Sequence, residues 1–237
     1  MHFVTSDLHG YPHARFLSLL EKAGFGKDDE LYVLGDVIDR NGDGGIETLL
    51  WMSEQENVHF IMGNHEHFML ACGFLFDEIT EKGADELTTD KLETAAVWLR
   101  NGAYPTVQSL KALAAKDRDR LDGLMEYLRE APLYELLKIK RKMYVLVHAG
   151  LGNFSKKKDL DDYTADELLW TRPHPEEKWF RKATVILGHT PVSYYDPRYA
   201  GRIFRADSFI DIDTGAASGG SPTVLRLEDE MPFYAEE

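Results

Sequence analysis

Five short apolar runs, each ending in a cluster of polar side chains, constrain the fold of this chain more than any other feature. They are "HFVTSDLHG" (2–10), "LYVLGDVIDR" (31–40), "VHFIMGNHE" (58–66), "MYVLVHAGL" (143–151) and "ATVILGHTP" (183–191). Near-continuous apolar runs mark strands covered on both faces, and helical patterns lie between several of them. "HARFLSLLEKAG" carries Phe16, Leu19, Leu20 and Ala23 at helical spacing and stops at Gly24, a C-terminal cap. "GIETLLWMSEQ" predicts a second short helix. This alternation predicts an α/β fold with its loops at the strand ends.

Residues 73–131 read differently, being rich in Ala, Leu, Glu, Lys and Arg with no convincing strand. They predict a helical insertion of two or three amphipathic helices within a single domain spanning 1–237. "LYELLKIKRKMYVLVHAG" predicts a hairpin turning near Arg141, and "SFIDIDTGAASGGSPTVLRLED" two strands joined by a Gly/Ser-rich turn. The acidic end "EDEMPFYAEE" reads as frayed.

A single cysteine, Cys72, excludes an internal disulfide framework and fits a reducing compartment. With no apolar run long enough to span a membrane and no basic, apolar leader, the expected location is the cytoplasm. The formal net charge of −14 argues against nucleic acid as a partner. It would also repel a phosphorylated substrate unless bound divalent cations reversed the local field.

The strand ends hold metal-competent side chains: Asp7 and His9, Asp36, Asn64 and His65, His148, and His189. Ligands of open α/β sheets sit beyond the carboxyl ends of the strands, and residues i and i+2 of an extended chain share a face, so Asp7 and His9 can chelate one ion. Each cluster alone is weak; five in equivalent positions are not. Imidazole, carboxylate and amide donors without thiolate suit Mn, Fe or Zn. Even six such ligands exceed what one catalytic ion with open positions needs and suit two divalent transition-metal ions sharing Asp36. His2, His13, His59, His67 and His174 fall outside the clusters and read as structural or exposed.

The blocks "SDLHG", "GDVIDR", "GNHE", "HAGL" and "GHT", in this order, resemble those of the phosphoprotein phosphatase family within the calcineurin-like metallophosphoesterases, and most of all its bacterial and phage serine/threonine phosphatases. "WLRNG", "LLWTRP" (168–173) and "IDTGAASGG" (212–220) extend the likeness over nearly the whole chain. The resemblance implies a β-sandwich flanked by helices with a dimetal site at one edge. It implies that Asp7, His9 and Asp36 hold the first metal and Asp36, Asn64, His148 and His189 the second. A hydroxide bridging the ions would attack phosphorus in line. His65 would protonate the leaving alkoxide, oriented by Asp39, while Arg40 and Arg172 grip the phosphate. Two departures, Asn41-Gly42 after Arg40 and Ala103-Tyr104-Pro105 after "WLRNG", touch no implied ligand but lie where substrates enter.

The expected function is therefore a dimetal phosphomonoesterase, a serine/threonine protein phosphatase first, with Mn the expected metal and Fe or Zn as alternatives. Its partner is a phosphoprotein or a small phosphorylated substrate. The alternative is a hydrolase of dinucleoside polyphosphates or polyphosphate on the same scaffold. Glu66 and Asp39 favour the phosphatase. Glu66, Asp211 and Asp213 are expected to be structural, the Tyr194-Tyr195 pair to pack in a loop, and Trp98 and Leu99 to fill the insertion's own core. Arg100 or Tyr104 would meet a substrate beyond its phosphate.

Overall fold

Alternate residues of the strands face two different cores, which is what a sandwich flanked by helices requires. The computed structural model describes residues 1–77 and 87–235. In β1 (His2–Thr5), Phe3 points to the helices and Val4 to the sandwich interior. In β2 (Glu30–Val33), Leu31 and Val33 point outward and Tyr32 inward. β5 (Lys142–Val147) turns Tyr144 and Leu146 inward and Val145 and Val147 toward a third cluster on the opposite side.

Two five-stranded sheets result. One has the order β10-β9-β1-β2-β3, with β3 at Val58–Phe60, β9 at Thr223–Arg226 and β10 at Met231–Tyr234. The other has the order β4-β5-β6-β8-β7, with β4 at Tyr134–Ile139, β6 at Ala183–Leu187, β7 at Phe204–Arg205 and β8 at Phe209–Asp211. β1, β2 and β3 run parallel, as do β5, β6 and β8, so the carboxyl ends that carry the clusters lie side by side within each sheet.

Helices α1 (His13–Ala23) and α2 (Ile46–Ser53) cover the outer face of the first sheet, together with α3 (Asn64–Ala71). α1 stops as its sequence implies, with Gly24 left-handed at φ 78°. The segment 73–131 supplies α4 (Thr89–Arg100), α5 (Tyr104–Lys116) and α6 (Arg118–Arg129) to that same core, through Trp98, Val107, Leu110, Leu121 and Leu128. The part of this segment at 78–86 lies outside the described residues. The second sheet is backed by loops, short 3-10 turns and α7 (Ala165–Leu169), packed through Trp179, Phe204 and Phe209.

Several expectations need correction. The tail strands β8 and β9 do not pair; the Gly/Ser-rich stretch between them carries the chain from one sheet to the other. The acidic end is ordered as β10, because Met231 to Tyr234 find antiparallel partners on β9 and Phe233 packs on the helical core. Leu99 is 44% exposed, whereas Trp98 is fully buried in the main core rather than in a core of the insertion's own. Of the two tyrosines after "GHTPV", Tyr195 stacks on Phe204 but Tyr194 is exposed.

Candidate active site

The strand ends are turned by backbone that few side chains adopt. Nine non-glycine residues have positive φ among those described, and six of them are Asp7, His9, Asp36, Asp39, Arg40 and His189. Left-handed backbone at non-glycine residues costs energy and clusters at functional sites. Gly35 and Gly63 make the turn possible. A Cβ on Gly35 would fall 2.3 Å from Gly63 Cα, and one on Gly63 would fall 2.3 Å from Asp36 N. Glu66 then fixes the loop, its carboxylate accepting the backbone N–H groups of Asp36, Val37 and Ile38 at 2.8–3.1 Å. Burial, with the charge of Asp36 beside it, pushes the Glu66 pKa up to about 7.

Asp36 sits at the centre, and its two oxygens face different imidazoles. Oδ2 lies 3.6 Å from His9 Nε2 and 3.8 Å from His65 Nε2, while Oδ1 lies 3.5 Å from His148 Nε2. Burial alone would raise the pKa of Asp36, but His148, His65, His9 and His189 outweigh it and hold the group ionised. Two sets of ligand atoms, His9–Asp36–His65 and Asp36–His148–His189, each gather within 4.8 Å. Asp7 Oδ1 lies 3.9 Å from His9 Nε2, and its Oδ2 accepts the His189 backbone N–H at 2.9 Å, tying the two sheets together.

The hydrogen bonding fits cations at these positions. His9 Nδ1 donates to Ile38 O at 3.0 Å and His148 Nδ1 to Leu34 O at 2.7 Å. A carbonyl can only accept, so each Nε2 presents a lone pair inward. Burial lowers both pKa values, that of His9 to about 3, keeping the rings neutral. Asn64 Oδ1, also an acceptor, stands 2.8 Å from His148 Nε2, a pairing relieved when a cation shares both lone pairs. Asp7 Oδ1 and His189 Nε2 are buried without any hydrogen-bond partner. Burial, and then the like charges of Asp213 and Asp36, raise the Asp7 pKa well above its usual range. Such orphaned and crowded acceptors are costly unless a positive charge completes them.

His65 is held differently. Its Nδ1 lies 2.5 Å from Asp39 Oδ2, and its ring packs edge-on against His9 at 4.8 Å. Burial would lower its pKa, but Asp36 and the bond to Asp39 prevail and raise it. In the metal-free protein this favours the imidazolium form, while Nε2 lies within the group formed with His9 and Asp36. Asp39 is fully buried and forms no ion pair with Arg40, whose side chain is exposed at the rim. Arg172 Nη1 donates to His189 O at 3.3 Å, and both guanidinium groups lie close enough to bear on Asp213.

Every proposed ligand thus converges on one place, with the two arginines at its edge. His2, His13 and His59 are engaged elsewhere, with Glu228, Thr48 and Glu30. Two residues that touch this machinery escaped the sequence reading. Trp98 Nε1 donates to Asp39 Oδ2 at 2.7 Å and Thr106 Oγ1 to Asp39 Oδ1 at 2.6 Å. The available signal was Trp98 itself, since a buried indole N–H needs an acceptor.

A shared buried carboxylate between imidazole groups, at the strand ends of an α/β sandwich, makes this a site positioned to bind metal ions. The chain belongs to the calcineurin-like phosphoesterase family, whose model matches residues 3–214. It is therefore an enzyme of the metallophosphoesterase class of hydrolases. It is 32% identical over 270 residues to the symmetrical bis(5'-nucleosyl)-tetraphosphatase of Methylobacillus flagellatus, covering 98% of this chain and 93% of that protein. It is 27% identical over 250 residues to the asymmetrical bis(5'-nucleosyl)-tetraphosphatase PrpE of Geobacillus thermodenitrificans, covering 95% and 90%. A protein serine/threonine phosphatase from Saccharomyces cerevisiae shares the fold, with TM-score 0.58, 16% identity and coverage of 100% of this chain and 80% of that one. No helix among the described residues is long and apolar enough to cross a membrane.

Proposed function

We propose that this chain hydrolyses a phosphoanhydride bond of a small nucleotide substrate of the dinucleoside polyphosphate class. What carries the reading is its similarity, over nine-tenths or more of both chains, to tetraphosphatases from two different organisms. Glu66, one of the two residues that favour a protein phosphatase in the sequence, does not discriminate: it serves the 36–38 loop, a task that any phosphoryl transfer at this site would share.

Asp7, His9 and Asp36 would hold one divalent cation, and Asp36, Asn64, His148 and His189 the second, with Mn the first candidate and Fe or Zn the alternatives. Bound there, the pair supplies Lewis-acid polarisation of phosphoryl oxygens and a lowered pKa for attacking water. Arg40 and Arg172 grip the non-bridging oxygens with their planar forks of donors. Neighbouring imidazoles and carboxylates hold His65 with Nε2 inward, placed to give its proton to the departing oxygen. The whole chain works as one catalytic domain, the 73–131 segment included, since its helices complete the core beneath the site.

A second reading, a serine/threonine phosphoprotein phosphatase, is favoured by the His65–Asp39 pair. A serine alkoxide leaves only with a proton, whereas a nucleotide phosphate leaves readily without one. The deciding experiment compares metal-reconstituted protein on diadenosine tetraphosphate, polyphosphate, phosphoserine, phosphothreonine and phosphotyrosine peptides and an aryl phosphate. We expect the highest kcat/KM on diadenosine tetraphosphate, with the nucleotide products identified by chromatography. Tenfold or greater preference for phosphopeptides would replace this reading with the second.

A further inference from the structure

Trp98 and Thr106 are remote in sequence from every metal-competent cluster, yet both end on Asp39. Trp98 and Thr106 are fully buried, and between them they engage both carboxylate oxygens, at 2.7 and 2.6 Å. The Thr106 oxygen also accepts the Asp39 backbone N–H at 3.0 Å, so this hydroxyl clamps the side chain of Asp39 to its own backbone. Asp39 and Arg40 are consecutive left-handed residues, at φ 77° and 71°. A corner of this kind persists only where its surroundings over-determine it.

The 98–106 segment provides those surroundings. Gly102 O accepts the Arg40 N–H at 2.9 Å, and a Cβ on Gly102 would come within 2.9 Å of Arg40 Cγ. A Cβ on Gly44 would meet Thr106 N at 2.3 Å. The two backbones are in direct contact, with no room for a side chain between them. Packing alone accounts for the Trp98 ring, which stands edge-on to Phe76 at 6.4 Å. It does not account for the indole proton going to the oxygen that already takes His65 Nδ1.

We infer that Trp98 and Thr106 are positioning residues for His65, fixing the Asp39 carboxylate so that the imidazole presents Nε2 to the leaving oxygen. The inference rests on the reading of His65 as proton donor. It recasts the 98–106 corner as part of the proton-delivery apparatus, serving the imidazole that faces Asp36 Oδ2 rather than His148, which faces Oδ1.

The test uses the full chain reconstituted with Mn, in the variants Trp98→Phe, Thr106→Val, Thr106→Ser and His65→Asn, and in both double variants with His65→Asn. kcat and KM are measured on phenyl phosphate and on p-nitrophenyl phosphate, whose leaving group needs less proton help, and metal content is measured in parallel. A general acid contributes about 10²–10⁴-fold, so loss of its orientation should lower kcat on phenyl phosphate by about tenfold to a hundredfold. The loss on p-nitrophenyl phosphate should be smaller, with KM and metal content unchanged. Thr106→Ser should recover most of the activity, since it restores both bonds. In the His65→Asn background neither substitution should cost anything further, because residues acting through one group are non-additive. Equal losses on the two substrates, or a further loss on top of His65→Asn, would make both residues merely structural. If His65→Asn itself lost equally on both substrates, the proton-donor reading would fail and this inference with it. If only His65→Asn were leaving-group sensitive, the inference alone would fail.

Discussion

Asp36 and Asp39 stand three residues apart on one loop, both buried, at 2% and 0% exposure, and their environments are opposite. Asp39 is complete: imidazole, indole and hydroxyl donors occupy its two oxygens. The surroundings of Asp36 are incomplete, with inward lone pairs on His9 and His148, unpartnered acceptors on Asp7 and His189, and like charges crowding Asp7. A buried polar network satisfied by the protein itself positions a group, whereas one lacking positive charge is built to receive it. On the proposed reading, the loop joins a finished proton-delivery side to a metal side that cations would complete.

Removing the shared carboxylate should break this contrast most severely. Asp36→Asn keeps the shape and deletes the charge that faces both ligand sets; we expect kcat to fall on the order of 10³-fold, with metal content reduced. Thr106→Val, on the finished side, should leave metal content intact.

Next in size is a stability effect confined to the metal side. Glu66 and Asp213 have pKa values raised to about 7 by burial, against ordinary carboxylate values in the unfolded chain. Between those values the folded chain binds more protons than the unfolded one, so these groups cost stability as pH rises toward about 7. His9 and His189, lowered to about 3 and about 2, act with the opposite sign, but only below the ordinary histidine value near 6.5. Metal-free protein should therefore lose stability from about pH 6.5 to 7.5, where these carboxylates and His65, whose pKa is raised, act in the same direction. Cations should reverse this: at a hundredfold excess over Kd each bound ion adds about 2.7 kcal/mol, or roughly 5–10 °C in Tm. Thermal melts at several pH values, with and without Mn, check both signs; a metal-free Tm that climbs across that window would contradict the first.

Smaller effects sharpen the comparison. Glu66→Gln should cost about 1–3 kcal/mol in denaturant unfolding, because one amide oxygen replaces a carboxylate that accepts three backbone N–H groups. Tyr104, 66% exposed, should contribute nothing measurable to stability. Tyr104→Ala should change kcat/KM for the larger substrates by a few-fold and leave the aryl phosphate untouched, which side-by-side kinetics would show.

The convergence of Asp7, His9, Asp36, Asn64, His148 and His189 was legible in the sequence because strand periodicity and short-range spacing place them at strand ends, wherever the strands go. The partition into two sheets was not, since it depends on β9 crossing to pair with β1 and no local pattern encodes that. The C-terminal strand was hidden by its acidic flanks. The partner of Trp98 and Thr106 was unreadable for another reason. Neither titrates or ligates, and their meaning arises only when α4 and α5 bring them onto Asp39. Leu99, adjacent to Trp98 and equally apolar, turns outward because the two are one helical step apart.

The central claim is that Asp36 is shared by two cations, and counting them tests it directly. Metal-free protein is titrated with Mn while bound metal is measured by elemental analysis and turnover is followed on the preferred substrate. The account predicts two ions per chain, with full turnover reached only as the second site fills. Saturation at one ion with full activity, or full turnover without metal, would contradict it.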